Sequence, residues 1–177
     1  MSGLTWVALS YRLPREPSRL RLAVWRRLKR LGAALLHDAV WLLPADAKTR
    51  EAFEWLAEEI EEQGGTAFVW EAVSLGAAQD SAIVAQFRVA ADERYAAIAE
   101  SAQALRRVRV KRRGGPRSRL EHARRQVAGL ERALRLEARR DHFRAPGRRL
   151  AEEAIRAAVE ALAEPPSEEG RADAVGH

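Results

Sequence analysis

The chain has 177 residues, no cysteine and a basic balance, with 31 Lys+Arg against 25 Asp+Glu and a formal net charge of +6. A chain of that length buries roughly 70% of its unfolded surface, so it needs neither disulfides nor metal to fold. The missing cysteine excludes thiol redox chemistry, iron–sulfur ligation and cysteine-rich zinc sites.

From Leu4 to Leu13 apolar positions alternate with Thr5, Ser10 and Arg12, and Pro14 ends the run, which predicts a first strand. Pro14 and Pro17 make a short rigid connection. Ser18 is placed to cap a helix running to about Leu31, with Leu20, Val24, Leu28 and Leu31 as its buried stripe. Gly32 ends that helix. Ala33 to Leu36 and Ala39 to Leu43 read as two short strands turned at His37–Asp38 and closed by Pro44. Asp46 caps a second helix, with Phe53, Leu56, Ala57 and Ile60 on one face and glutamates on the other. Gly64–Gly65 stops it, and Thr66 to Leu75 predicts a further strand carrying Phe68, Trp70 and Val73.

That order, β-α-β-β-α-β, predicts an α+β class with a ferredoxin-like arrangement over residues 1–76. Two helices would cover one face of the sheet. The other face must meet a second subunit, the rest of the chain, or nucleic acid.

Beyond Gly76 the pattern is helical. Val84, Phe87, Ala91, Ile98, Ala102 and Leu105 recur at three-and-four spacing, as do Leu120, Ala123, Val127, Leu130 and Leu134. Between the two sets lies KRRGGPRS, whose Gly114, Gly115 and Pro116 cannot continue a helix. The expectation is a C-terminal helical extension over 77–164: a helical hairpin plus one helix after Pro146–Gly147, carrying Leu150, Ile155, Val159 and Leu162. Residues 165–177 read as a disordered tail. The longest apolar stretches are far short of a membrane span, and no basic region leads into an apolar core, so a soluble cytoplasmic protein is expected.

Charge is unevenly placed. Arg106 to Arg149 holds 17 basic residues against four acidic ones, while Glu51 to Glu62 holds six acids and no base. Arginine outnumbers lysine 28 to 3, which is also what the coding bias of a GC-rich genome would produce. Clustered cations predict an anionic partner, because each phosphate neutralised releases counterions. The hairpin tip offers Arg106, Arg107, Arg109, Lys111, Arg112, Arg113, Arg117 and Arg119; the first helix offers Arg19, Arg26, Arg27, Lys29 and Arg30. The bland alternative is that these are solvated faces of amphipathic helices.

Two other chemistries are weaker. An oxyanion needs guanidinium forks or helix N-terminal amides, and Arg12, Ser18 and Arg19 sit where a strand end meets a helix start; a plain cap at Ser18 and an exposed strand residue at Arg12 are the favoured explanation. The four histidines (His37, His122, His142, His177) are scattered and show no metal spacing. No cofactor fingerprint or catalytic motif is present, so no cofactor and no enzyme activity is expected. The five tryptophans fall on or beside apolar stripes and read as core or interface residues rather than base-stacking platforms.

The string EPSRLRLAVWRRLKRLGAALLHDAVWLLP resembles the N-terminal domain of the chromate-resistance regulator ChrB. The piece FEWLAEEIEEQGGTAFVWEA, the spacing of Phe87, Asp92 and Tyr95, and RRDHF at Asp141 to Phe143 fit the same pattern in the same order. A more distant likeness is to PaaX-type repressor domains and the small CRISPR-associated nucleases of ferredoxin fold. The resemblance implies a bacterial regulator of chromate-resistance genes, with this domain its DNA-binding or regulatory half, and the exposed sheet face suggests a homodimer. Chromate or another oxyanion is a possible ligand by the same resemblance; full-length members carry a further C-terminal domain, to which chromate sensing could belong. The alternatives are a protein–protein or oxyanion-sensing module without DNA binding, and a metal-dependent nuclease. The nuclease reading wants a carboxylate at the end of the first strand, where this chain has Ser10-Tyr11-Arg12.

Overall fold

The alternation near the N-terminus forms β1 (Thr5–Arg12), and the other strands are laid on either side of it. The computed structural model describes residues 3–15, 18–38, 40–108 and 116–163. The expected hairpin tip around residues 109–115 and the tail from 164 onward lie outside them. Among the described residues, the elements after β1 are α1 (Ser18–Leu31), β2 (Ala34–His37), β3 (Val40–Pro44), α2 (Ala47–Glu62), β4 (Thr66–Val73), α3 (Ala77–Val108), α4 (Pro116–Arg140) and α5 (Gly147–Ala163). The protein is thus of mixed α+β class: its described residues form a four-stranded antiparallel sheet and five helices, with helices making up the C-terminal part.

The sheet order is β2-β3-β1-β4. Residues directly opposite in an antiparallel pair share a face, so the registers sort the sheet into two sides. Val7 lies opposite Leu43, and Leu9 opposite Trp41 and Val69, on the first side. Trp6, Ala8 and Leu42 share the second side with Phe68 and Trp70.

The first side carries α1 and α2. The Lys29 ammonium of α1 lies 5.7 Å from the Trp41 ring centroid, and Arg27 of α1 pairs with Glu59 of α2 at 2.8 Å. Helix α2 begins with a reciprocal cap, in which the Thr49 amide donates to the Asp46 carboxylate at 2.8 Å and the Asp46 amide donates to the Thr49 hydroxyl at 3.0 Å. Its Phe53, Leu56 and Ile60 are fully buried, as their spacing requires. Each such side chain contributes about 1.5–3 kcal/mol by leaving water.

The second side is partly covered by the chain itself. The Trp6 ring stacks on Phe87 of α3 at 5.8 Å, and Phe143 lies 5.8 Å away on a tilt. A buried carboxylate fixes this corner. Asp80, in the first turn of α3, accepts hydrogen bonds from the Trp6 indole at 3.0 Å, the Ser74 hydroxyl at 2.5 Å and the Leu4 amide at 2.8 Å. Farther along the same side Phe68 and Trp70 stay exposed, at 61% and 58%.

The chain divides into two compact units, Met1–Asp92 with Glu137–Pro146, and Glu93–Leu136 with Gly147–His177. The sheet core belongs to the first. In the second, Ile98, Ala102 and Val127 are buried, while Leu105, Leu120, Ala123, Leu130 and Leu134 are half-buried, so the expected stripes of α3 and α4 are both turned away from water. In α5 the buried positions are Ala151, Ile155 and Ala158, and the expected Leu150 and Val159 are exposed. The face is set by the i, i+4, i+7 spacing of the two alanines around Ile155, and Leu150 and Val159 fall on opposite flanks of it, one before Ala151 and one after Ala158. No helix among the described residues is long and apolar enough to cross a membrane.

Candidate nucleic-acid interface

Helix α1 carries six basic residues and no acid. Its apolar positions face the sheet, with Val24 and Leu28 buried and Leu20 and Leu31 half-buried. The 100° step per residue then turns Arg19, Arg26 and Arg30, at i, i+7 and i+11, onto one outward line. All three are exposed, and so is Arg21. Among the described residues no carboxylate pairs with any of these four. Arg27 and Lys29 differ: Arg27 is held by Glu59, and Lys29 lies between Trp41 and the 47%-exposed Trp25, 5.8 Å from the latter.

The C-terminal end of α1 is pinned from a distant part of the chain. The Ala33 amide donates to the Leu28 carbonyl and the Gly32 amide to the Lys29 carbonyl, closing the helix around Gly32 with φ +74°. Arg140 donates to the Lys29 carbonyl at 3.4 Å, and the His142 ring nitrogen Nε2 lies 3.0 Å from the Leu31 carbonyl. Arg140 is itself gripped by the buried Glu137, its Nε 2.6 Å from the carboxylate. The Arg140 guanidinium, a cation at a helix C-terminus, complements the helix dipole as well as satisfying a carbonyl. The basic face is therefore presented by a helix fixed at both its apolar side and its end.

The other expected residues are less gathered. Arg12 and Arg19 are exposed and no described contact joins them; Ser18 is the first residue of α1, and its side chain falls outside the described part. Arg106 is exposed near the end of α3. Arg107 lies in α3, and Arg117 and Arg119 in the first turns of α4, but their side chains fall outside the described part. Arg109, Lys111, Arg112 and Arg113 lie outside the described residues altogether. Trp6 and Trp41 are in the core, while Trp25, Trp55 and Trp70 are exposed.

Two sets of cations are not singled out by their sequence context. Arg21 is one. The other is on α4, where Arg124, Arg125, Arg132 and Arg135 are all exposed and fall within an arc of about 100° by helical geometry. Glu121 and Glu131 are within helical reach, yet neither forms an ion pair with these arginines among the described residues. On α5, by contrast, Arg149 is paired with Glu153 at 2.7 Å. The one signal in the sequence is the phase of the α4 arginines, opposite Val127 and Leu134. Among the described residues no group of three His, Asp or Glu side chains could hold a metal ion.

The family described as Protein ChrB, N-terminal, matches this chain over residues 21–168. No curated protein and no solved structure matches it.

Proposed function

The chain belongs to the ChrB N-terminal family, and from that premise we propose that it is a cytoplasmic DNA-binding regulator of chromate-resistance genes that works as a homodimer. Family membership supports the link to chromate resistance and regulation. One observation carries the DNA-binding part: α1 has six cations and no anion, and Arg19, Arg21, Arg26 and Arg30 stand in solvent without a carboxylate partner among the described residues.

Arg19 to Arg30 spans about 16 Å of helix, at 1.5 Å per residue. A rigid row of guanidinium groups on that scale follows several phosphates of one strand, and arginine offers each phosphate a paired donor fork. Phosphate contacts set position and affinity; the base edges that set sequence preference are a separate matter. We also read the sheet as ferredoxin-like. The element order β1-α1-β2-β3-α2-β4, the strand order β2-β3-β1-β4 and the two helices on one side all support that reading.

The test is a binding series with a duplex from the gene's own upstream region, with and without chromate, at several salt concentrations. Binding should fall steeply with salt and be altered by chromate. Binding that is absent at low salt would overturn the proposal.

A further inference from the structure

The two edges of the sheet are built differently. The β2 edge is four residues long, and its pairing to β3 is irregular between Leu35 and His37. Shortness and irregularity are devices that keep a sheet edge from recruiting another strand. The β4 edge has neither. It is eight residues long and pairs with β1 in unbroken register from Val73 to Thr66. No described strand lies on its outer side. Its sequence, TAFVWEAV, contains no proline and no lysine, and its one charge, Glu71, is already paired with Arg50 of the same chain. Phe68, Trp70 and Val73 are exposed along it.

We propose that β4 is the dimer seam: two copies pair β4 against β4, antiparallel about a two-fold axis, to make one continuous eight-stranded sheet. The occupant is a second copy on grounds of charge and symmetry. A chain of net charge +6 repels its own copy, so self-association favours an edge with no free charge, and β4 is one. Antiparallel pairing of a strand with itself is isologous and closes at two. An axis at Val69 sets the Phe68 of each copy opposite the Trp70 of the other, on the same side of the sheet. Cross-strand aromatic pairs of this kind cover the rings that the single chain leaves in water. The inference rests on the homodimer reading above and specifies where the two copies meet.

The cysteine-free chain allows single spin labels without background. Ala72→Cys on β4 and His37→Cys on β2 are labelled separately, and pulsed electron resonance measures the distance between copies. Labels on β4 fall on neighbouring strands and give about 20 Å. Labels on β2 are separated by seven strand spacings, about 34 Å. In parallel, Trp70→Lys, at a position already exposed, should raise the dimer dissociation constant at least tenfold while leaving the circular dichroism unchanged. Leu35→Lys on the other edge should not. A wild-type chain that sediments as a monomer at tens of micromolar concentration overturns the dimer and the seam together. A wild-type dimer with the shorter distance at His37, or with an affinity indifferent to Trp70→Lys, overturns the seam alone.

Discussion

Gly32 and Arg140, more than a hundred residues apart in sequence, are packed so closely that a Cβ at position 32 would lie 2.3 Å from the Arg140 carbonyl oxygen. The same glycine has φ +74°, a backbone conformation that costs other residues strain. Gly32 therefore does two things: it lets α1 stop, and it leaves room for the segment that seals the end of α1.

Gly64 separates the two roles. Its φ is +77°, but nothing lies within 4 Å of its would-be Cβ. Gly64→Ala should cost about 1 kcal/mol from backbone strain alone. Gly32→Ala adds the clash with backbone atoms and should cost about 2–4 kcal/mol. Urea unfolding of both variants gives the comparison. Equal losses would mean that the packing against Arg140 relaxes without penalty.

These cases mark what the sequence made legible. Helix α1 from Ser18 to Leu31, the turn at His37–Asp38, the Asp46 cap and the strand beginning at Thr66 were all readable, because periodicity, caps and turn residues are local signals. Even the unusual Asp38, with φ 38°, sits in the turn where its residue type was expected. What could not be read depends on partners far away in sequence. Nothing near Leu31 announces that His142 will reach its carbonyl, and nothing near Trp6 announces Asp80. The exposure of Trp70 was hidden for a related reason: a strand sequence does not say whether it will lie at the edge of a sheet. Of the candidate site, the α1 cations were legible as a cluster. That Glu59 would take Arg27, while Arg21 would join the exposed set, required the packing of α1 on α2.

Asp80 makes the fold pH-dependent in a defined direction. The hydrogen bond from Ser74, then those from the Leu4 amide and the Trp6 indole, hold its carboxyl below the ordinary aspartate value. Asp46 is lowered too, chiefly by the Thr49 amide. A depressed folded value means the stabilisation is complete above the unfolded value and is lost as pH falls through the folded one. The melting temperature of the wild type should thus fall in acid. Asp80→Asn, whose amide nitrogen cannot accept a hydrogen bond, should melt lower than wild type at neutral pH, and the gap should close as pH falls through the folded value. A gap that stays constant between about pH 7 and pH 2 would show that ionisation of Asp80 contributes nothing.

Glu137 should be more sensitive to substitution than any surface carboxylate. It is 1% exposed and bound to Arg140, which in turn supports the end of α1. Glu137→Ala removes one partner and leaves a guanidinium that water can reach only in part. A loss of about 2–4 kcal/mol follows from breaking a buried pair of this kind. The matching Glu153→Ala on α5 breaks an exposed pair and should cost no more than about 0.5 kcal/mol. Thermal unfolding of the two variants makes the test, and similar losses would remove the argument that Glu137 anchors α1.

Salt dependence can apportion the proposed DNA binding among the basic surfaces, because removing the cation that neutralises one phosphate flattens the plot of log affinity against log salt by about 0.9. Arg19→Gln, Arg26→Gln and Arg30→Gln together should flatten it by about 2.7 if each arginine holds one phosphate. Substituting Arg124, Arg125, Arg132 and Arg135 on α4 should reduce the slope by up to about 3.6, provided the α4 arc touches the same duplex. The set Arg112, Arg113, Arg117 and Arg119, which the sequence groups around Gly114–Pro116, is assayed in the same way. Arg149→Gln is the control, since Glu153 already neutralises that side chain and its loss should leave the slope unchanged. An α1 variant that keeps the full wild-type slope would clear α1 of any role in holding phosphate. If the α4 variant or the variant at Arg112, Arg113, Arg117 and Arg119 then carried the whole change, the interface would lie with those arginines instead.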